Sequence, residues 1–297
     1  LDVADIPFLL QSKVNFIVDS IQQFEYLKRY CKFNQIKVKI GIRIDLGIIP
    51  KDKDKKPAFY ASHKRFAGNT FEEAILIINE IKNDLNISLD GLHFHTSSQN
   101  TDLESWKKQM RLVVDFIIKN KITLNYLNIG GGFPIGYFYS GNFNIPKIEE
   151  IVNEMEPSFT QLKDLFPDIT LVIEPGRFIS GPAGIIISEI ASEKVRNSTK
   201  ILTLKDSIFS AQRNVCPVYE LPVVSLSSSK HFCNYMLVGS TASSQDILNS
   251  KVRIRKSKIG DKIVFLQAGA YTTVRSTNFA GARKIKEFMI RNGKLTN

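Results

Sequence analysis

Through the first two thirds of the chain, short apolar runs alternate with longer stretches in which apolar residues recur every three or four positions. Asn15 to Asp19 (NFIVD) reads as a buried strand, and SIQQFEYLKRY after it has helical spacing. The same alternation continues through the strand KVKIGIRID, a polar loop PKDKDKK and a helix around TFEEAILIINEIKNDL. It then runs through the strand LDGLHFH, the helix ESWKKQMRLVVDFIIKN, the strand LNYLNIGGG, the helix KIEEIVNEMEPSFTQLKDL and the strand ITLVIEPGR. Strands separated by helices predict βαβ units and a parallel sheet. The pattern predicts five such strands, whereas a closed barrel of this kind needs eight. The sheet is therefore expected either to be open or to lack three units.

After about Gly181 the pattern changes to short β-rich runs, AGIIISEIA, KILTL, PVVSL, YMLVGS and KIVFLQAGAY, punctuated by Gly, Ser and Pro. This predicts an α/β domain over residues 1–180 and a separate all-β domain over 181–297. A length of 297 residues, with 43% apolar and 23% charged, suits a globular protein with a substantial core. No apolar run is long enough to span a bilayer. The opening LDVADIPFLL has neither an initiator Met nor the basic start of a signal peptide, which reads as a trimmed chain. Cys31, Cys216 and Cys233 share no metal-like spacing, and their odd number argues against a disulfide framework, so a reducing cytoplasm is expected. The net charge of +11 raises nucleic acid as a partner. The basic residues are scattered, with local runs only at PKDKDKK and KVRIRKSK, and neither run is interleaved with aromatics. Solvated basic faces fit better than a nucleic-acid or membrane partner.

Four segments carry candidate chemistry. In LNIGGGFPIGY, Gly130, Gly131 and Gly132 follow a strand, where missing side chains let backbone N–H groups approach a phosphate. A tight turn explains them equally well. In VIEPGRFISGPAG, Glu174 ends a strand before Gly176 and Arg177. Such a carboxylate can bond a protonated ring nitrogen, and the Gly-Arg pair can serve a phosphate; a plain Glu174–Arg177 salt bridge competes with that. In GLHFHTSSQN, His93 and His95 alternate along a strand and face one side. A metal pair would need a third ligand, and stacking on an aromatic cofactor or simple core packing are the alternatives. In LQAGAY, Tyr271 either offers its hydroxyl to a phosphate or packs.

Together, and in this order, GLHFHTSSQNTDLESW, LNIGGGFPIGY, EPGRFISGPAG and LQAGAY resemble the signatures of the fold-type III pyridoxal-phosphate (PLP) decarboxylases, the family of ornithine, arginine and diaminopimelate decarboxylases. The resemblance runs from about Asn15 to Gly281. It implies a PLP-binding (β/α)8 TIM barrel, with about five of eight units present, followed by a C-terminal β domain. It also implies PLP-dependent decarboxylation of an amino acid, basic or diamino by default, in a cytoplasmic homodimer whose site is built from both chains. By this resemblance His95 stacks on the pyridine ring, Ser98 contacts the phosphate, and Gly130, Gly131 and Gly132 donate backbone N–H groups to it. Glu174 pairs with the ring nitrogen, Gly176 and Arg177 hold the phosphate, and Tyr271 reaches it.

The sequence also departs from the family. The lysine that binds PLP as a Schiff base stands on the family's first barrel strand, and NFIVDS resembles the fourth, so by the resemblance that lysine and the first three strands are absent from this sequence. The family's G-P-x-C-D/E-S-x-D segment reads here Gly239 to Asp246, GSTASSQD. Ala242 stands where a Cys donates a proton, Ser243 stands where a carboxylate grips the substrate, and Asp246 keeps its place as a substrate-binding candidate. Ser97 replaces a Gly before Ser98, Ala67 a Gly in KRFAG (64–68), and Ser207 a Gly in KDSIF (205–209). A catalytically inactive binding or regulatory protein is the alternative these departures raise.

Overall fold

A computed structural model of the protein describes residues 2–49, 67–136, 145–212 and 220–296. The loop PKDKDKK, most of KRFAG, Tyr137 and Cys216 lie outside the described residues. The chain divides into two compact units, Leu1–Pro134 with Ile145–Pro175, and Ile135–Asn144 with Gly176–Asn297.

The first unit holds a five-stranded sheet in the order β1 (Phe16–Val18), β2 (Val38–Arg43), β3 (Ile87–His93), β4 (Tyr126–Asn128) and β5 (Thr170–Val172). Every pairing is parallel. A short helix α1 (Ile6–Gln11) precedes the sheet, and α2 (Ile21–Asn34), α3 (Phe71–Lys82), α4 (Leu103–Lys119) and α5 (Ile148–Leu165) follow successive strands. The five strands and the four helices α2 to α5 are the elements the periodicity predicts, α1 is an addition to them, and their ends carry local signals. Ser20 caps α2 by accepting from the Gln23 N–H, and Thr70 and Glu73 close a capping box on α3. Helix α4 turns Trp106, Met110, Val113, Val114 and Ile117 inward, all essentially fully buried. The Trp106 indole donates to the Asn100 carbonyl at 3.0 Å and stacks on Phe133 at 4.9 Å, which anchors the loop after β3 to the loop after β4. At the other end of the sheet the Tyr126 ring crosses Gly41 of β2 and Gly91 of β3, where any Cβ would overlap it. Burial, with the charge of Asp90, pushes the Tyr126 hydroxyl up to about 12. Among the described residues, β1 pairs only with β2 and β5 only with β4.

The second unit contains helix α6 (Gly176–Ser180) and a six-stranded sheet in the order β10-β9-β7-β6-β11-β8. Its strands are β6 (Ile186–Arg196), β7 (Thr199–Leu204), β8 (Val223–Ser225), β9 (Phe232–Val238), β10 (Ile247–Arg255) and β11 (Lys262–Phe265). All pairings are antiparallel except β7 with β9. Ile190, Leu202, Leu204, Leu237, Ile263 and Phe265 form its core. Two elements go beyond the sequence expectation. Strand β10 absorbs much of the basic run KVRIRKSK; its register shifts on either side of Asn249, which breaks the alternation that would have marked it. A hairpin of β12 (Met289–Arg291) and β13 (Lys294–Thr296) turns through Asn292 and Gly293, both at positive φ, the pairing that a two-residue hairpin turn favours. The boundary between units falls at Pro175/Gly176, a few residues before the expected 180/181. The reason is packing: the Arg177 guanidinium lies over the Tyr271 ring, and Gly269 fits directly against the Ser180 carbonyl.

Candidate active site

In the first unit the candidate residues gather where β2, β3, β4 and β5 end, the end at which parallel sheets bind ligands. Arg43, His93 and Asn128 are the last residues of β2, β3 and β4, and Glu174 follows β5 by two residues. The loop after β4 begins at once with Gly130 (φ +66°), Gly131 and Gly132 (φ +99°). A Cβ on Gly130 would overlap the Phe94 carbonyl, on Gly131 that of Glu174, and on Gly132 that of Ser97. The three glycines thus let this loop lie directly against the chain leaving β3 and β5. Backbone bonds fix it there: Glu174 N–H donates to the Gly130 carbonyl, and Asn100 N–H to that of Gly132, both at 2.8 Å. Gly130 N–H donates to Asn128 Oδ1 at 2.8 Å, and Gly131 N–H to His95 Nδ1 at 3.1 Å.

The Glu174 side chain is about half exposed. Its Oε1 accepts from Asn128 Nδ2 at 2.9 Å and lies 3.6 Å from His93 Nε2. His93 is buried and neither ring nitrogen has a hydrogen-bond partner among the described residues. Burial lowers its pKa to about 4; Arg43 and His95 push the same way, and Glu174 opposes them. Burial likewise lowers the pKa of His95. A cavity of about 600 Å3 beside β1 is lined by Asp19, Arg43, His93 and Glu174, with Asp19 Oδ1 3.7 Å from Arg43 Nε. Ser97 is buried with its hydroxyl unpartnered among the described residues, whereas Ser98 next to it is exposed. Among the described residues no group of three or more His, Cys, Asp or Glu stands together as a metal site.

The second unit brings Gly176, Arg177 and Tyr271 together. The Arg177 guanidinium lies over the Tyr271 ring, 4.6 Å from its centroid, and Arg275 approaches the same ring at 5.7 Å. A Cβ on Gly176 would sit 3.2 Å from the Tyr271 hydroxyl. Tyr271 itself is held at φ +58°, an uncommon conformation for an aromatic residue. Ala242 is exposed on the loop from Gly239 to Asp246. Asp246 is buried; its Oδ1 accepts from Ile208 N–H, and its Oδ2 from the Thr241 N–H and hydroxyl. Ser207, in KDSIF, is buried and its hydroxyl accepts from the Phe209 N–H.

Residues 2–181, more than half of the chain, match the family model described as pyridoxal-dependent decarboxylase, pyridoxal binding domain. The chain belongs to this family. Membership makes it an enzyme of the decarboxylase class, with pyridoxal phosphate as its cofactor. Among its relatives, the diaminopimelate decarboxylase of Staphylococcus aureus is 23% identical over 98% of this chain and 69% of its own length. The lysine/ornithine decarboxylase of Selenomonas ruminantium is 26% identical over 72% of this chain and 53% of its own. The solved diaminopimelate decarboxylase of Helicobacter pylori, in complex with L-lysine, has the same fold. It superimposes with a TM-score of 0.85 over 99% of this chain and 72% of that one, at 22% identity. The family's barrel followed by a β domain is therefore the architecture to which both units belong.

The residues present fit the cofactor. A half-exposed carboxylate with one oxygen already held suits a pyridine nitrogen, and the unpartnered Ser97 hydroxyl and the exposed Ser98 lie beside the glycine loop. Arg43, Asp19 and Asn128 were not among the sequence candidates. Their shared signal was available: polar residues at or just past the C-terminal ends of parallel strands, which a buried strand has no other reason to carry.

Proposed function

We propose that the protein decarboxylates an α-amino acid bearing a second, distal amino group, and that it holds pyridoxal phosphate with His95, Ser98, Gly130, Gly131, Gly132, Glu174, Gly176, Arg177 and Tyr271. The observation that carries this is the convergence of His95, the glycine loop and Glu174 at the ends of three neighbouring strands. The names of the relatives, diaminopimelate and lysine/ornithine decarboxylases, support the diamino class. When bound, pyridoxal phosphate supplies a sink for the electron pair left by departing carbon dioxide. Glu174 keeps the ring nitrogen protonated, His95 presents its imidazole to the ring, and Arg177 neutralises phosphate charge. Asp246 shapes the substrate-end loop from within. Ala242 has no proton to return to the substrate α-carbon, so water or the family's Schiff-base lysine, outside this sequence, must supply it. A positioned acid adds about 10²–10⁴-fold to such a step, so turnover is slow. The working form is a homodimer, in keeping with the family resemblance, and it acts in the cytoplasm.

The test, on the full-length protein, is PLP titration together with carbon dioxide release from a panel of diamino acids. Arg177→Ala weakens PLP binding by about 1.5–3 kcal/mol, the worth of a charge-assisted bond, and adding Gly131→Val weakens it further. Ala242→Cys accelerates carbon dioxide release. Equal PLP affinity in wild type and the Arg177→Ala/Gly131→Val double variant refutes the cradle. Bound PLP with no carbon dioxide from either wild type or Ala242→Cys favours the second reading, a binding or regulatory protein, which the methyl group at Ala242 makes specific.

A further inference from the structure

Asn128 ends β4 with only 5% of its surface exposed, and both ends of its amide are used. Oδ1 accepts from Gly130 N–H at 2.8 Å, and Nδ2 donates to Glu174 Oε1 at 2.9 Å. The amide orientation is determined by this pair of contacts: a flipped amide would set a donor against the Gly130 N–H and an acceptor against the carboxylate. The same two segments are joined a second time, through the backbone, by Glu174 N–H on the Gly130 carbonyl. Among the described residues Glu174 Oε2 has no partner, so Asn128 is the hydrogen-bond donor that orients this half-exposed side chain. An exposed carboxylate left to itself samples several rotamers, and fixing one before the ligand arrives lowers the ordering cost of binding.

We propose that Asn128 is a positioning residue. Its amide clamps the glycine loop to Glu174, so that loop and carboxylate meet the cofactor as one preset unit. This rests on the reading that Glu174 serves the cofactor's ring nitrogen. Asn128 touches neither substrate nor cofactor and acts through its two neighbours.

The experiment is a double-mutant cycle on PLP affinity, read by absorbance titration of wild type, Asn128→Ala, Glu174→Ala and the double variant. Asn128→Ala weakens binding about tenfold while Glu174 is present, the scale of one lost bond to a charged group, and less than about threefold once Glu174 is Ala. An equal factor in both backgrounds overturns the proposal, because Asn128 would then act only through the glycine loop or the fold. Unchanged affinity in Glu174→Ala removes the underlying reading of Glu174, and the proposal with it. If Asn128→Ala does not fold, a reciprocal exchange in unliganded protein carries the same test. Asn128→Asp keeps the acceptor for Gly130 but sets two carboxylates against each other, and lowers the melting temperature. Adding Glu174→Gln returns a donor to the pair from the opposite side and restores it. Failure to restore overturns the clamp.

Discussion

Asp246→Asn changes one oxygen to an NH2 group, and the surroundings of Asp246 leave that group nowhere to go. In the folded protein Oδ1 accepts from Ile208 N–H at 2.8 Å, while Oδ2 accepts from Thr241 N–H at 2.9 Å and from the Thr241 hydroxyl at 2.6 Å. Either orientation of an asparagine amide therefore turns a donor toward a backbone N–H. Gly239 packs so closely on the carboxylate that a Cβ there would overlap it, so the side chain has no room to turn away. Bonds to a charged acceptor contribute about 1.5–3 kcal/mol each, and a buried donor left unsatisfied costs about 1–3 kcal/mol. Losing one such bond and facing two donors together gives a destabilisation of about 3 kcal/mol or more. For a domain of this size that corresponds to a fall in melting temperature of about 10 °C. Circular dichroism melts of unliganded wild type, Asp246→Asn and Ser244→Ala, an exposed neighbour, measure it. The neighbour stays within about 0.5 kcal/mol of wild type. A melting temperature for Asp246→Asn within about 2 °C of wild type, a shift well under 1 kcal/mol, refutes the reasoning and frees the carboxylate to serve substrate directly.

Gly131→Ala drives a Cβ into the Glu174 carbonyl, with an overpacking cost of about 1–3 kcal/mol read from denaturant midpoints. Ser244→Ala, at an exposed position, serves as the reference; a midpoint for Gly131→Ala as close to wild type as that of the reference contradicts the close packing. His93 is neutral in the fold with a pKa lowered to about 4, against an ordinary value near 6.5. The unfolded chain therefore takes up a proton first as pH falls, and stability is lost between about pH 6.5 and pH 4. His93→Gln removes most of that slope in chemical denaturation series across this range, and an unchanged slope contradicts the assignment. His95, shifted in the same direction, accounts for the remainder.

The five parallel strands and their helices were legible in sequence because each segment carries its own period: short apolar runs for the strands, and a 3.6-residue stripe for the helices. The second unit was legible in part. β6, β7, β8, β9 and β11 announce themselves as apolar runs, whereas β10 has a shifted register and a basic composition, and the exposed hairpin β12–β13 has no buried face to pattern its residues. In the site, spacing and residue type brought forward His95, the glycines, Glu174 and Arg177. Sequence order alone places Asn128 forty-six residues from Glu174, and only the pairing of β4 with β5 turns that separation into a 2.9 Å hydrogen bond. Sequence by itself determined which segments of the first unit form its five strands and the helices between them, and which residue types stand at their ends, because those are consequences of local period and chemistry. Tertiary structure alone decided that Asp246 is enclosed by three donors, that His93 is held neutral and that Asn128 joins loop to carboxylate. Burial and hydrogen-bond partnership arise only when distant segments pack together.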